Sequence, residues 1–356
     1  MKVLELYSGI GGMHYALKGS TIGNQSEVIM AVEMNTACNE VYQHNFPKTM
    51  VVNRNVCSLS ATEINKLGPN MILMSPPCQP FTRQGKQKDL EDNRNISLLQ
   101  FIELLPNLVS LTYILLENVK GFEESETRKK LVAALRKAKF TYKEFLLNPR
   151  QFAICNSRLR YYLLAKRTSR TYEDAPNDVI LDVPKEYEND LKMRLNSHVP
   201  SKIEEILQYK NTCAEWDSFL VTSKNVNKYY SAVDIITAED ENSCCFTGGY
   251  TRYLKGTGSL LTKLTKNELV QFQLKFCNDD VYRDRENSEN NTLDFFKLLH
   301  LRYFTQKEVA RLMTFPEQFS FPSHITEKQK YKMLSNSINV HVVSFLISYL
   351  MEYFPE

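Results

Sequence analysis

The sequence predicts an α/β fold: a doubly wound, mostly parallel sheet joined to a smaller mixed domain. Short apolar runs of strand length alternate with helical stretches from residue 1 to about residue 167. A glycine-rich turn follows the first run at once, as in sheets that bind a ligand at the first helix. Beyond residue 167 the alternation stops. We therefore assign 1–170 and 305–356 to the sheet domain and 171–304 to the second domain.

Strands and helices can be placed in order along the first 167 residues. Strands are expected at 2–7, 27–33, 49–52, 71–74, 113–117, 142–147 and 160–165. Helices are expected at 11–18, 36–45, 96–108 and 127–139, and again at 305–313 and 340–353. The final helix is apolar on most of its surface, so we expect it to dock on the sheet domain. The polar stretch 168–200 is expected to be a linker with irregular loops.

Composition limits the class of protein. Apolar residues make up 43% of the 356 residues and charged residues 24%, which is typical of a globular chain. The net charge is only +3, so any affinity for nucleic acid must come from local basic patches. No apolar run approaches the roughly 20 residues of a membrane span, and we expect no membrane association. The eight cysteines and six histidines show no metal-ligand spacing, which predicts a reduced intracellular protein without a metal site.

A cysteine follows the fourth predicted strand on a stiff loop. Pro76 and Pro77 prevent the strand 71–74 from continuing, so they hold Cys78 at the strand's end. Thiolates are strong nucleophiles, and a rigid loop can aim one at a substrate. The alternative is a buried cysteine beside a turn. The length of the run Ser-Pro-Pro-Cys-Gln-Pro-Phe and its place directly after an apolar strand disfavour that alternative. Cys78 is therefore the candidate nucleophile.

Charged residues follow two other predicted strands. Glu117 ends the strand 113–117, and ligands bind beyond the carboxyl ends of such strands, so we expect it near Cys78. Arg158 and Arg160 alternate at the start of the last strand and should reach one face, where two guanidinia can orient a base and its phosphate. A capping acid and a solvated arginine pair are the alternatives.

The first and second strands end in features of a nucleoside site. Gly9, Gly11 and Gly12 form a Gly-x-Gly-Gly turn that lets a ligand approach the backbone. Glu33 ends the second strand, where a carboxylate can accept hydrogen bonds from two ribose hydroxyls. An ordinary tight turn and a surface glutamate are the alternatives. Taken together the features favour an adenosine-type cofactor over a dinucleotide, because the full dinucleotide spacing is absent.

Two features near the C-terminus have structural interpretations. Thr305 with Glu308 three residues on forms a capping box, so the helix that follows is expected to organise the seam between the domains. Ser337 precedes the last helix and either reaches the cofactor or caps that helix.

In this order the stretches resemble the motifs of the cytosine carbon-5 methyltransferases, over nearly the whole chain. Cys245-Phe246-Thr247, followed by Gly248-Gly249-Tyr250, resembles the eukaryotic subfamily that methylates tRNA-Asp in its anticodon loop. The resemblance implies a Rossmann-like methyltransferase sheet with a smaller mixed target-recognition domain. It also implies that Cys78 adds to carbon 6 of cytosine while Glu117 hydrogen-bonds the ring.

The resemblance implies S-adenosylmethionine as methyl donor and S-adenosylhomocysteine as product. Cofactor contacts are expected from Ile10, Gly11, Gly12, Glu33, Met34, Val56, Cys57, Ser75 and Ser337. Substrate contacts are expected from Lys129, Lys130, Cys245, Phe246 and Thr247. The chain departs from the family at Ser335, where glycine is usual, and near Asn55 and Cys57, where many relatives carry an acid for the adenine amine.

Three functions remain open from the sequence. The first is methylation of RNA, at cytosine 38 of tRNA-Asp, and the second is methylation of DNA with the same machinery. The third is a catalytically idle nucleic-acid-binding protein, which the presence of Cys78 and Glu117 disfavours. A nicotinamide oxidoreductase is disfavoured by the glycine spacing. Clustered basic residues suit a compact folded RNA, so we expect tRNA as the partner and duplex DNA as a poor substrate. We expect a cytoplasmic monomer, with the nucleus as a second location.

Overall fold

Seven strands form one sheet at the centre of the protein. The structure is a computed structural model that describes residues 1–77, 95–168, 178–195, 199–209, 214–221, 232–278 and 298–354. The strands are β1 Lys2–Leu6, β2 Glu27–Glu33, β3 Val51–Asn53, β4 Met71–Met74, β5 Tyr113–Val119, β6 Phe140–Leu147 and β7 Arg160–Arg167. Their order is β3-β2-β1-β4-β5-β7-β6, and β7 alone runs antiparallel to the other six strands.

Helices cover both faces of this sheet, as predicted for a doubly wound fold. Every side chain of β4 is buried, which explains why that strand reads as a continuous apolar run. The helices are α1 Gly12–Gly19, α2 Thr36–Asn45, α3 Ala61–Leu67, α4 Ile96–Leu104, α5 Glu126–Lys137, α6 Lys192–Arg194, α7 Lys266–Asn278, α8 Gln306–Leu312, α9 Glu327–Ser335 and α10 Val340–Glu352. Two separate apolar clusters, one on each face, form the core.

The last helix docks on the sheet region, as predicted. Ser344 on α10 donates a hydrogen bond to the Ala16 carbonyl of α1 at 2.9 Å. A Cβ on Gly19 would lie 2.9 Å from the Ser344 Oγ, so glycine permits this close approach. The stretch Glu327–Glu352 has the length and apolar composition of a membrane span, but 89% of its most apolar part is buried inside the protein. Core packing therefore accounts for its composition.

The described residues of the expected linker after β7 pack against the sheet region. Ile180 pairs with the edge of β6, donating its N–H to Glu144 and accepting from Leu146 at 2.8 and 2.9 Å. Tyr187 is buried and its hydroxyl lies 2.8 Å from Nε2 of His341 on α10. The prediction of irregular loops is thus wrong for 187–194, which is helical, because Tyr187, Leu191 and Leu195 anchor it in the core.

A second, smaller region contains the two-stranded parallel sheet of β8 Asp234–Ile236 and β9 Ser259–Leu261. A buried ion pair joins this region to α8. Arg302 donates to both carboxylate oxygens of Glu308 at 2.7 and 2.8 Å, and its guanidinium lies 4.3 Å from the Trp216 ring. The Thr305 capping box is present as predicted. The domain boundaries themselves remain a prediction.

Candidate active site

The glycine-rich turn between β1 and α1 forms the floor of a cleft at the carboxyl edge of the sheet. Gly9 and Gly11 have φ of +51° and +85°, which favours glycine. A Cβ on Gly11 would come within 2.6 Å of the Phe46 ring. A Cβ on Gly12 would come 2.8 Å from the Ser337 Oγ. Glycine at these positions therefore lets the turn lie close to both neighbours.

The Glu33 carboxylate connects this turn to the end of β2. Its Oε2 accepts a hydrogen bond from the Gly9 N–H at 3.0 Å. Its Oε1 accepts from the N–H groups of Met34 and Asn35, both at 2.8 Å. Three donors fix the orientation of the carboxylate, and its two oxygens together can accept about four. Acceptor capacity therefore remains for a ribose hydroxyl.

The cleft has a volume of about 760 Å³, which is in the range of ligand sites. Eight of the nine residues expected to contact a cofactor line it: Ile10, Gly12, Glu33, Met34, Val56, Cys57, Ser75 and Ser337. Gly11 caps α1 instead. The Ser8 hydroxyl in the cleft is buried without a hydrogen-bond partner among the described residues, and Met34 presents a 66% exposed apolar surface. An unpaired hydroxyl, a ribose acceptor and an apolar surface together fit an adenosine-type cofactor.

Asn55 and Ser335, the two departures from the family pattern, each make a local hydrogen bond. Asn55 lines the cleft, but its side-chain oxygen accepts a hydrogen bond from the Cys57 N–H at 3.1 Å, which caps the turn there. The Ser335 hydroxyl donates to the Lys332 carbonyl of its own helix at 2.8 Å. Ser335 is thus accommodated within α9, and the Asn55 oxygen has one of its lone pairs occupied. Ser337 does not cap α10, because Asn339 does.

Glu117 occupies the opposite end of the same cleft. It lies on β5 two residues before the strand's end and is only 7% exposed. Burial raises the pKa of the Glu117 carboxyl above its usual range, although the guanidinia of Arg160 and Arg158 partly oppose this. The Nε of Arg160 lies 3.4 Å from Oε1. The side chain is therefore suited to hold a proton and donate it in a hydrogen bond.

Arg158 and Arg160 reach the same face, as predicted, although Arg158 precedes β7 rather than lying in it. Both lie beside Glu117. Arg158 donates to the carbonyls of Ser335, at 2.9 Å, and Ser337. Its Nη1 lies 3.4 Å from the Cys245 sulfur, and Nη2 of Arg160 lies 4.0 Å from the same atom. Burial alone would raise the pKa of the Cys245 thiol, but the two guanidinia lower it below its ordinary value. Arg158 thus joins the second region to the segment before α10.

The proline loop after β4 enters the cleft between these two ends. Pro76 and Pro77 line it, and the Asn118 amide lies 3.5 Å from the Pro76 carbonyl. The predicted nucleophile Cys78 is the next residue and lies outside the described residues. One cleft thus contains a nucleoside-type pocket, a carboxyl with a raised pKa and two cations.

The order of these strand-end features matches a known family along the whole chain. The family model for C-5 cytosine-specific DNA methylase matches residues 1–352. The chain belongs to this C-5 cytosine methylase family.

Relatives in the C-5 cytosine methylase family are similar over their full length. The chain is 42% identical to a tRNA (cytosine(38)-C(5))-methyltransferase of Spodoptera frugiperda, covering 99% of both chains. It is 38% identical to the Homo sapiens protein of the same name, again over 99% of both. A crystal structure of a Spodoptera frugiperda DNMT2 triple mutant matches with a TM-score of 0.83 at 41% identity, covering 99% of each chain. The Rossmann-like methyltransferase fold predicted from the sequence is confirmed.

The residues expected to contact the substrate differ in their exposure and in their distance from the cleft. Lys129 and Lys130 are exposed near the start of α5 but do not line the cleft, and Lys129 pairs with Glu126 at 2.6 Å. Phe246 is only 5% exposed and packs edge-on against other rings. Its contribution would be to hold its neighbours rather than to touch a substrate. Thr247 is half-buried, and its N–H donates to a nearby carbonyl.

One wall of the cleft was not expected from the sequence. Gln329, Lys332 and Met333 on α9 line it. The available signal was the capping box of Thr326 with Gln329, which the structure forms. The helix that this capping box begins is short and mostly polar, so its hydrophobic periodicity did not predict that α9 lines the site.

Proposed function

We propose that the protein transfers a methyl group from S-adenosylmethionine to carbon 5 of cytosine 38 in the anticodon loop of tRNA-Asp. The observation that carries this proposal is the single cleft in which the pocket around Glu33 continues to Glu117, Arg158 and Arg160. The choice of RNA is supported by full-length similarity to proteins named tRNA (cytosine(38)-C(5))-methyltransferase.

The chain's own residues can hold the methyl donor. S-adenosylmethionine, when bound, supplies an electrophilic methyl group. The Glu33 carboxylate would accept hydrogen bonds from its ribose hydroxyls, and the exposed Met34 side chain would give the adenine an apolar contact surface. The Ser8 hydroxyl, which has no partner among the described residues, offers a further polar contact.

Carbon 5 of cytosine is a weak nucleophile until carbon 6 has been attacked. In our proposal the Cys78 thiolate forms a bond to carbon 6, and the electron pair of the 5,6 double bond moves into the ring. The Glu117 proton, held by burial, is shared with the ring nitrogen and offsets that negative charge. Carbon 5 would then take the methyl group, leaving S-adenosylhomocysteine. Loss of the carbon-5 proton to solvent would expel the thiolate and restore the double bond.

The transfer reaction can be tested directly. The purified full chain is given S-adenosylmethionine with a labelled methyl group and a tRNA-Asp transcript, and the labelled base is mapped. We expect label at cytosine 38 and none in a transcript that carries uridine there. Cys78→Ala should bind S-adenosylmethionine normally but transfer no methyl group. Normal transfer by that variant would contradict the covalent route.

Methylation of DNA is the second candidate, because the matched family is described by that substrate. A base in duplex DNA must first be unstacked at a cost of a few kcal/mol, whereas an anticodon loop is already partly unstacked. We therefore expect faster transfer to tRNA than to duplex DNA when both are compared at equal salt. The opposite order of rates would overturn the choice of RNA.

A further inference from the structure

One aromatic side chain stands out on the surface of the second region. Tyr253 is 61% exposed, and it is the only exposed phenylalanine, tyrosine or tryptophan where the structure describes side chains. The guanidinium of Arg252 lies 5.4 Å from the centre of its ring. An exposed ring beside a cation is a surface on which a nucleobase can stack.

The backbone beneath this ring is firmly held. The N–H groups of Arg252 and Tyr253 donate to the Gly249 carbonyl at 2.9 and 3.0 Å. The Thr257 hydroxyl donates to the Tyr253 carbonyl. The ring hydroxyl makes no hydrogen bond within the described part of the chain. Tyr253 is thus presented on a fixed turn, with one edge of its ring against Gly249 and most of the ring exposed.

Gly248 and Gly249 connect this ring to the cleft. A Cβ on Gly249 would lie 3.2 Å from the Tyr253 ring. A Cβ on Gly248 would lie 3.4 Å from the Ser335 Oγ, and Ser335 lines the cleft. The exposed Gly248 and its neighbour Gly249 therefore connect the Tyr253 ring directly to the wall of the cleft.

The charges along this path suit a phosphate backbone. Lys332 lies at the cleft end, where its Cγ would be 3.9 Å from a Cβ on Gly248. Arg252 and Lys255 are exposed at the other end. None of the three makes an ion pair with another residue that the structure describes. Arg252, Lys255 and Lys332 thus lie near an exposed aromatic ring, a combination found in sites that bind single-stranded nucleic acid.

We propose that Tyr253, with Arg252 against its ring, stacks a nucleobase that neighbours the target cytosine in the loop. Withdrawing the target base from its stack exposes the faces of the bases beside it. The Tyr253 ring replaces the lost stacking partner and so fixes the register of the loop on the cleft. Tyr253 is then a specificity-determining residue, and this role rests on the proposed function.

The test is a double-mutant cycle between the ring and individual bases. Full-length tRNA-Asp is ligated from two RNA fragments. In each preparation one nucleotide of the anticodon loop, other than the target, is abasic. Tyr253→Ala should lower kcat/KM on intact tRNA roughly 10- to 100-fold, mostly through KM, since one stacked base contributes about that much. One abasic position should cause a similar loss in the wild type and no further loss in Tyr253→Ala.

Two variants separate stacking from a structural effect. Tyr253→Phe keeps the ring and should stay within about twofold of the wild type, whereas Tyr253→Leu should resemble the alanine variant. Affinity for S-adenosylmethionine should be unchanged in all three. The proposal would be overturned if the effect of Tyr253→Ala on kcat/KM were independent of the effect of every abasic nucleotide. It would also be overturned if Tyr253→Ala stayed within twofold of the wild type. If the wild type methylates no tRNA at all, the proposed function fails instead.

Discussion

Glu117 and Glu5 are both buried glutamates, yet only Glu117 faces the cleft. Glu117 lies beside Arg160 and Arg158, which partly offset the cost of burying its charge. Glu5 lies inside the fold on β1, where Oε2 accepts a hydrogen bond from the Tyr42 hydroxyl at 2.6 Å and Oε1 has no partner among the described residues. Burial favours the protonated form of each, and only at Glu117 can that proton serve a reaction.

Glu117→Gln should lose most methyl transfer while binding S-adenosylmethionine normally. Acid–base roles of this kind contribute roughly two to four orders of magnitude in rate. Because burial raises the Glu117 pKa, the wild-type rate should fall as pH rises through that pKa, and the variant should lack this fall. Single-turnover rates across a pH series measure both effects. A loss of less than about threefold would make Glu117 structural.

Glu5 should make stability depend on pH. Burial raises its pKa from 4.5 to about 8. Between those values the native state keeps a proton that the unfolded chain has lost, so the free energy of unfolding should fall as pH rises, by up to about 1.4 kcal/mol per pH unit. Glu5→Gln should remove this slope. Urea denaturation of both proteins at several pH values gives the difference, and parallel curves would contradict the assignment.

At the scale of elements, the sequence predicted best those whose burial is uniform or whose ends are marked. The strand 71–74 and the helix 36–45 match the structure to the residue, because one is apolar throughout and the other has the Asn35 cap and Pro47 as limits. α3 and α9 were missed because they are short and polar. α9 nevertheless forms a wall of the cleft, since tertiary packing and not periodicity places it there.

Glu33→Ala tests the link between β2 and the glycine-rich turn. The variant loses a ribose acceptor and three backbone hydrogen bonds, so we expect S-adenosylmethionine affinity to fall by about 1.5–3 kcal/mol or more. Binding of tRNA should be unchanged, because the carboxylate lies at the other end of the cleft from Glu117. Glu27→Ala, an exposed acid at the opposite end of β2, is the control. Equal affinities by calorimetry in both variants would remove Glu33 from the site.

At the scale of the molecule, the site depends on contacts between distant parts of the chain. Arg158 reaches Ser335 and Ser337, which are 177 and 179 residues away. The ion pair of Arg302 and Glu308, fully buried against Trp216, holds the second region to α8. Residues at strand ends could be predicted from the sequence because the carboxyl ends of the parallel strands meet at one edge, where the antiparallel β7 begins. Contacts such as those of Arg158 could not, because no local pattern encodes them.

Substitutions on the surface that binds tRNA should weaken tRNA binding without changing S-adenosylmethionine binding in the cleft. Lys129 and Lys130 lie near the start of α5, at the edge of the sheet where β5 ends, and both are exposed. Reversing both charges should weaken tRNA binding and reduce the slope of log affinity against log salt by about 2, since each lost phosphate contact contributes about 1. Affinity for S-adenosylmethionine should not change.

The matched control is the pair Lys2→Glu and Lys66→Glu, which alters net charge equally. Lys2 begins β1 and Lys66 lies in the last turn of α3, just before β4, so both lie at the sheet edge opposite the cleft. If general attraction between protein and RNA governs binding, both double variants will lose the same affinity. If tRNA is held at the cleft edge, only the Lys129 and Lys130 variant will. Binding measured over a salt series decides between the two, and an equal loss would remove α5 from the tRNA surface.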